Sequence, residues 1–251
     1  MTETSGANEQ APVLVTGASR RVGLHIANRF LEQQIPVLAH YRTLTPELEA
    51  LAEKGATLYY ADLANTESVT AMCSEIKDRH NQIRAIVHNA SSYGKTEDDA
   101  QAAMQQYLDF FHVHMASPFL INESLFECLK QYAGVADIIH ITDIYVESPK
   151  HTYHTYCSTK AGLANLSRSF AAKFAPHVKV NAIAPGPIWL LDSYSQAYKD
   201  MVFDQTLIRE EGGPEPIYLA IKSIMENPYM TASTVTVDGG RSLNQYVLPQ
   251  P

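Results

Sequence analysis

The sequence predicts an α/β fold, a doubly wound, seven-stranded parallel sheet with helices on both faces, in one domain. Three observations predict it. Seven short apolar runs alternate with longer amphipathic stretches, the signature of βαβ units with right-handed crossovers. The first run leads directly into a glycine-spaced turn and a helix. The 251 residues are 45% hydrophobic, enough for one large core, and no linker, repeat or second apolar cluster divides them.

The strands are expected at 13–15, 36–41, 57–61, 85–87, 137–141, 178–183 and 234–237. Each is short and mostly apolar, as strands buried on both faces are. Helices are expected at 21–34, 46–54, 66–80, 98–132 (with a break), 155–174 and 214–226. Leu163, Leu166, Phe170 and Phe174 recur at helical spacing in the fifth of these. The stretch 189–213 is less regular and reads equally as a substrate lid or as an ordinary amphipathic helix. Residues 1–12 are polar, lack the regions of a signal peptide and read as a disordered lead to a domain spanning 13–251.

Charge and cysteine content exclude several functions. Nineteen basic against twenty-seven acidic side chains leave a net charge of −8, a poor balance for general nucleic-acid binding. Cys73, Cys128 and Cys157 are odd in number and far apart, so they read as free thiols rather than a disulfide framework or zinc site. No apolar run is long enough to cross a bilayer, so the expectation is a soluble cytoplasmic protein without membrane contact.

Thr16-Gly17-Ala18-Ser19-Arg20-Arg21-Val22-Gly23 follows the first strand. Gly17 permits a tight turn and Gly23 close helix–strand packing, so the backbone N–H groups of the new helix can face a pyrophosphate. The spacing alone would also suit an ordinary strand–helix turn; its place after the first strand of a βαβ unit favours a Rossmann-type dinucleotide site. Its usual middle glycine is absent, and Arg21 stands there. That guanidinium can pair with phosphate or reach an anionic or carbonyl-bearing substrate. Where an acid would bind the ribose of NAD, the second strand ends in Tyr41-Arg42-Thr43. Arg42 and Arg20 favour the extra phosphate of NADPH, although solvated surface arginines would read the same way. Asp62, before Leu63, reads either as a contact to the adenine amine or as a helix cap.

The chemistry points to Tyr156 and Lys160, four residues apart on one helix face. An ammonium nearby is expected to lower the phenol pKa and make Tyr156 a proton donor or acceptor in hydride transfer. Tyr145 and Tyr153 lack a lysine at that spacing. Asp143 ends the preceding strand, thirteen residues before Tyr156, and its alternative role is a turn cap. The histidines near this region have no metal-ligand spacing, and none is expected to hold a metal.

Over nearly its whole length the chain resembles the short-chain dehydrogenase/reductase family. The residues that carry the resemblance are the 16–23 turn, Asn89-Ala90-Ser91, Tyr156-x-x-x-Lys160, Asn181 with Pro185-Gly186, and Val237-Asp238-Gly239-Gly240. Arg21 replaces the family's common glycine, and Asp143 its common serine. Together with Tyr93, both departures resemble the pteridine reductases. The stretches 137–143, 41–43 and 88–91 look especially like the bacterial dihydromonapterin reductases, which also reduce dihydrofolate. A further departure is His114, which stands where many members use an asparagine to hold a water in a proton relay.

The resemblance implies a site built segment by segment. For the cofactor it takes Gly17, Ser19, Arg20, Arg21, Val22 and Gly23 from the turn, then Tyr41, Arg42 and Thr43, then Asp62 and Leu63. It continues with Asn89, Ala90 and Ser91, with Tyr156 and Lys160, and with Pro185, Gly186 and Ile188. For the substrate it takes Arg21, Ser91, Tyr93, Asp143, Tyr156, Pro187 and Trp189. Asp143, Tyr156 and Lys160 would be catalytic. Tyr93 is expected to sandwich a pterin against the nicotinamide, Trp189 to line the pocket or simply pack in the core.

The expected activity is NADPH-dependent reduction of a 7,8-dihydropterin or dihydrofolate, with hydride to C6 and a proton to N5. A general carbonyl or 3-oxoacyl reductase, and a non-catalytic NADP-sensing regulator, are the alternatives. The resemblance also implies a homotetramer assembled through helices 98–132 and 155–174.

Overall fold

The computed structural model describes residues 10–190 and 192–246. Seven parallel strands run in the order β3-β2-β1-β4-β5-β6-β7. They are β1 (Val13–Val15), β2 (Val37–Tyr41), β3 (Thr57–Tyr60), β4 (Ala85–His88), β5 (Ala136–Ile141), β6 (Val178–Pro185) and β7 (Thr234–Val237). The helices are α1 (Arg21–Glu32), α2 (Pro46–Glu53), α3 (Thr66–Arg79), α4 (Ala100–Phe111), α5 (Ser117–Lys130), α6 (His154–Phe174), α7 (Gln196–Phe203) and α8 (Glu215–Glu226). The strands and the six expected helices fall within two residues of the ranges anticipated.

Strand period divides the core into two layers. Leu14, Leu38, Ile86, Ile138 and Val180 face α3, α5 and α6, where Ile121, Phe170 and Phe174 pack. Val13, Val15, Ala39, Val87 and Ile139 face α1, α2 and α8, where Ile26, Phe30, Ile217 and Ile221 pack. The strand order reverses between β1 and β4, so the carboxyl ends of these strands open a crevice, the usual ligand position of such a sheet.

Two features depart from expectation and two open points are resolved. β7 is not buried on both faces: it is an outer edge, and Thr234 and Thr236 are exposed. The break in 98–132 is a π turn, His112–Ala116, joining α4 to α5. The stretch 189–213 holds one short helix, α7, capped by Ser195 and flanked by irregular chain. Its far end is pinned where the Leu207 and Ile208 N–H groups donate to Gly239 O, both at 2.9 Å. The packed chain also begins earlier than residue 13, since Ala11 and Pro12 are buried and Arg84 N–H donates to Pro12 O at 2.8 Å. Of the expected lead, residues 1–9 lie outside the described part.

Candidate active site

The phosphate turn is held from three sides. Gly17 (φ 68°) donates its N–H to His40 Nδ1 at 3.0 Å, and His40 Nε2 donates to Ala61 O at 3.1 Å. Burial pushes the His40 imidazole down to about 4, so the ring is neutral and this tautomer is fixed. Asn89 Nδ2 donates to the Thr16 and Gly17 carbonyls at 3.0 and 3.2 Å. The Asn89 and Ala90 N–H groups donate to Thr16 Oγ1 at 3.0 and 3.1 Å. A Cβ on Gly23 would stand 2.1 Å from Gly17 O, so only glycine fits there. Arg21 itself has φ 51°, in the left-handed region that favours glycine.

Above this turn lies a groove of about 420 Å³. Its wall runs from Gly17, Ser19, Arg20, Arg21, Val22 and Gly23 to Arg42 and Thr43, then Asp62 and Leu63, and then Asn89, Ala90 and Ser91. Tyr41 is not on that wall; its ring meets Tyr60 edge-to-face at 5.9 Å. Asp62 does not cap α3. Asn65 does, accepting from Ser68 N at 2.8 Å, while Asp62 Oδ1 accepts from Ala64 N at 3.0 Å. Sequence reasoning missed three braces: His40, Thr16, and Thr45, whose hydroxyl donates to Ser19 O at 3.1 Å.

The chemical centre brings together all three residues expected there. Tyr156 OH donates to Asp143 Oδ2 at 2.8 Å, and Tyr145 N–H donates to Asp143 Oδ1 at 2.8 Å. Asp143 is therefore both a turn cap and the partner of the phenol. Lys160 Nζ donates to Ile141 O at 2.9 Å and lies 5.8 Å from the centre of the Tyr156 ring. The expected direction of the phenol pKa is reversed. Burial raises it well above its ordinary value, and the adjoining Asp143 carboxylate raises it further. Burial also raises Asp143 and lowers Lys160 to about 8.

His114 lies in the π turn, buried. Ser92 N–H donates to its Nε2 at 3.2 Å, and Ser91 Oγ is 2.9 Å from the same nitrogen. Its Nδ1 therefore carries the proton and donates to Thr159 Oγ1 at 2.8 Å, which donates in turn to Tyr156 O at 2.9 Å. Burial, and next the Lys160 charge, hold the ring well below its ordinary pKa. A neutral imidazole thus ties the 91–92 loop to α6.

A second cavity, of about 440 Å³, adjoins the groove through Arg21. Asp143, Gly186, Pro187, Ile188 and Trp189 are on its wall, as are Tyr93, Tyr145, Lys150, Tyr194, Tyr198 and Arg241. Pro185 ends β6 beneath it, and Ser91 lies in the groove instead. The Arg21 guanidinium donates to Trp189 O and sits 5.7 Å from that indole centre, so Trp189 is a cavity residue and not core. Tyr93 does not stand free. It stacks on Tyr153 at 5.1 Å with planes 18° apart, and meets Tyr156 edge-on at 5.0 Å. Tyr145 and Tyr153, set aside on sequence, thus belong to the site's aromatic wall.

Cys73, Cys128 and Cys157 are free and buried. Among the described residues no group of three or more His, Cys, Asp or Glu could hold a metal. No described helix is long and apolar enough to cross a membrane.

A family model described as enoyl-(acyl carrier protein) reductase matches residues 17–242. The dihydromonapterin reductase of Klebsiella pneumoniae is 37% identical over 233 residues, 92% of this chain and 97% of that protein. That of Citrobacter koseri is 36% identical, covering 95% and 99%. Among solved structures, FolM alternative dihydrofolate reductase 1 of Brucella canis, complexed with NADP, superposes with a TM-score of 0.86. It is 26% identical, with 97% of each chain covered. This chain, with its Tyr156–Lys160 pair beside a glycine-built turn, belongs to the short-chain dehydrogenase/reductase family, in the group that holds the dihydromonapterin reductases.

Proposed function

We propose that the protein reduces 7,8-dihydropterins to tetrahydropterins with NADPH. The single observation that carries this is the Asp143–Tyr156 hydrogen bond, with Asp143 on the wall of a cavity that shares Arg21 with the groove. A serine there would donate to a substrate carbonyl; a carboxylate with a phenol supplies a proton to a ring nitrogen.

The groove fits a dinucleotide. Gly17 and Gly23 let the turn close against Ala90 and Asn89 where a Cβ would collide, the 17–23 backbone lines the groove at the start of α1, and Arg20 and Arg42 add positive charge for a 2′-phosphate. The relatives' names, and the NADP bound in the Brucella structures, support this reading. Bound there, the reduced nicotinamide would supply a hydride. The chain's residues do the rest. Asp143 and Tyr156 deliver a proton to N5 as C6 is reduced, Lys160 supplies positive charge beside the phenol, and Arg21 with Trp189 holds the aminopyrimidinone edge. Tyr93 would have to leave Tyr153 to cover a bound pterin.

Dihydromonapterin and dihydrofolate are the substrates proposed, and the cytoplasm, with its pterin and one-carbon metabolism, is the proposed compartment. A homotetramer through α4, α5 and α6 is supported by Met104, Leu108, Phe111 and Phe119, apolar side chains left exposed on α4 and α5.

The test is NADPH oxidation by purified protein with dihydropterin or dihydrofolate, against NADH and against an acetoacetyl thioester. Turnover on the pterins with NADPH is expected, and Tyr156→Phe should remove it while leaving NADPH binding in place. Turnover only on the thioester would replace this reading with a carbonyl reductase. Cofactor binding without turnover on any of them would favour a regulator.

A further inference from the structure

The second cavity has two chemically different ends. Asp143, which accepts a hydrogen bond from Tyr156, marks one. The other lies beyond Tyr145, whose backbone N–H is on Asp143 and whose ring has Lys150 Nζ 5.2 Å from its centre. Arg241 faces the same space. Its Nη1 is anchored on Val202 O, near the end of α7, at 2.9 Å. Among the described residues neither Lys150 nor Arg241 takes part in an ion pair. The one acid on the cavity wall is Asp143, already engaged by Tyr145 and Tyr156. Two cations that share a recess without a counter-ion repel each other and attract an anion. Burial and then the Arg241 charge lower Lys150, as expected where two positive groups lie near each other.

The surroundings of the pair are aromatic. Tyr145, Tyr194 and Tyr198 line the same cavity, and Tyr194 meets Tyr198 edge-on at 4.9 Å. Flat faces with polar rims suit an aryl ring. We infer that Lys150 and Arg241 form a carboxylate subsite, with these tyrosines seating an aryl group between it and the Asp143–Tyr156 end. The ligand class is a dihydropterin whose 6-substituent is an aryl amide ending in carboxylates, as in dihydrofolate and its polyglutamates. A neutral polyol side chain, as in dihydromonapterin or dihydrobiopterin, would leave the two cations unused. This assignment rests on the pterin-reductase reading and adds selectivity to it.

The experiment measures kcat/KM for 7,8-dihydrofolate and 7,8-dihydrobiopterin in the wild type, Lys150→Ala, Arg241→Ala and the double variant. The double variant should lower the dihydrofolate-to-dihydrobiopterin ratio about tenfold, mainly through KM. Added salt should raise the wild-type KM for dihydrofolate and have much less effect on the double variant. An unchanged ratio in a double variant that still reduces both substrates would overturn the subsite. Calorimetric titration of the NADP-loaded protein with N-(4-aminobenzoyl)glutamate decides the point without turnover. Binding by the wild type that weakens in the double variant supports the subsite even if no pterin is reduced. Equal binding, or none by the wild type, sinks it.

Discussion

The Tyr156 hydroxyl donates to Asp143 Oδ2 at 2.8 Å, so the protonation of either group bears on the other. Each is shifted upward, Tyr156 by burial and by Asp143, and Asp143 by burial. The pair is a reluctant proton donor in water and a ready one to a basic nitrogen brought into contact with it. Lys160, fixed on Ile141 O, supplies charge from the side of the ring.

The rate should follow the protonation of that pair. Turnover limited by N5 protonation is expected to fall as pH rises through the Asp143 pKa, which lies above its ordinary 3.8. Asp143→Asn should flatten this limb and lower kcat by about 100-fold. The stability contribution of this carboxyl falls in the same direction. A carboxyl whose pKa is raised by folding contributes stability below its unfolded pKa and loses it as pH rises through the folded value. Asp143→Asn should therefore be more stable than the wild type near neutral pH, with the gain vanishing in acid. Urea titrations at both pH values check the sign.

Buried neutral histidines should set the acid limit of the fold. His40 and His88 are lowered to about 4 by burial. A depressed histidine contributes stability above its unfolded pKa and loses it as pH falls through the folded one. Each ring should cost about 2 kcal/mol by pH ~5. His88→Gln, which can still donate to Asn122, should make stability less steep over that interval. An unchanged slope in chemical denaturation would contradict this account.

Cofactor choice should depend on Arg42. It lines the groove at the end of β2. Arg42→Ala is expected to raise the KM for NADPH by about 10-fold or more and to leave that for NADH nearly constant. Initial rates with the two nucleotides measure the difference.

Arg21 combines a strained backbone with a contact across the cavity. Arg21→Gly removes the left-handed strain, about 1 kcal/mol, so the melting temperature should not drop. It also frees Trp189, which should raise the KM for a dihydropterin. Trp189 is the chain's one tryptophan, so its fluorescence anisotropy reports the release directly.

Sequence made the scaffold readable because the physics there is local. Val13–Val15 is a short apolar run ended by a glycine turn, as a buried strand is, and Gly23 sits where no Cβ fits. Tyr156 and Lys160 share a helix face by spacing alone. The phenol's pKa direction was not readable, because it depends on where the Asp143 side chain lands across a turn. Nor was the Tyr93–Tyr153 stack, a contact between residues sixty apart. His40 looked like one more residue of a strand. Its role needs Gly17 N and Ala61 O on either side of the ring, and those come from two other elements. β7 read as buried because composition does not say which strand lies outermost.

The π turn at His112–Ala116 makes the helical rod sensitive to length. It takes up about one more residue than the α form over the same rotation, so the surplus is absorbed while α4 and α5 keep nearly the phase of one continuous helix. Deleting a single residue there would let the rod close up as continuous α-helix and leave those phases nearly unchanged. What would shift is the turn itself: His114, now 2.8 Å from Thr159 Oγ1, would move around the axis, and the imidazole would lose its aim. An in-frame loss of one amino acid here should do more harm than most substitutions at the same place.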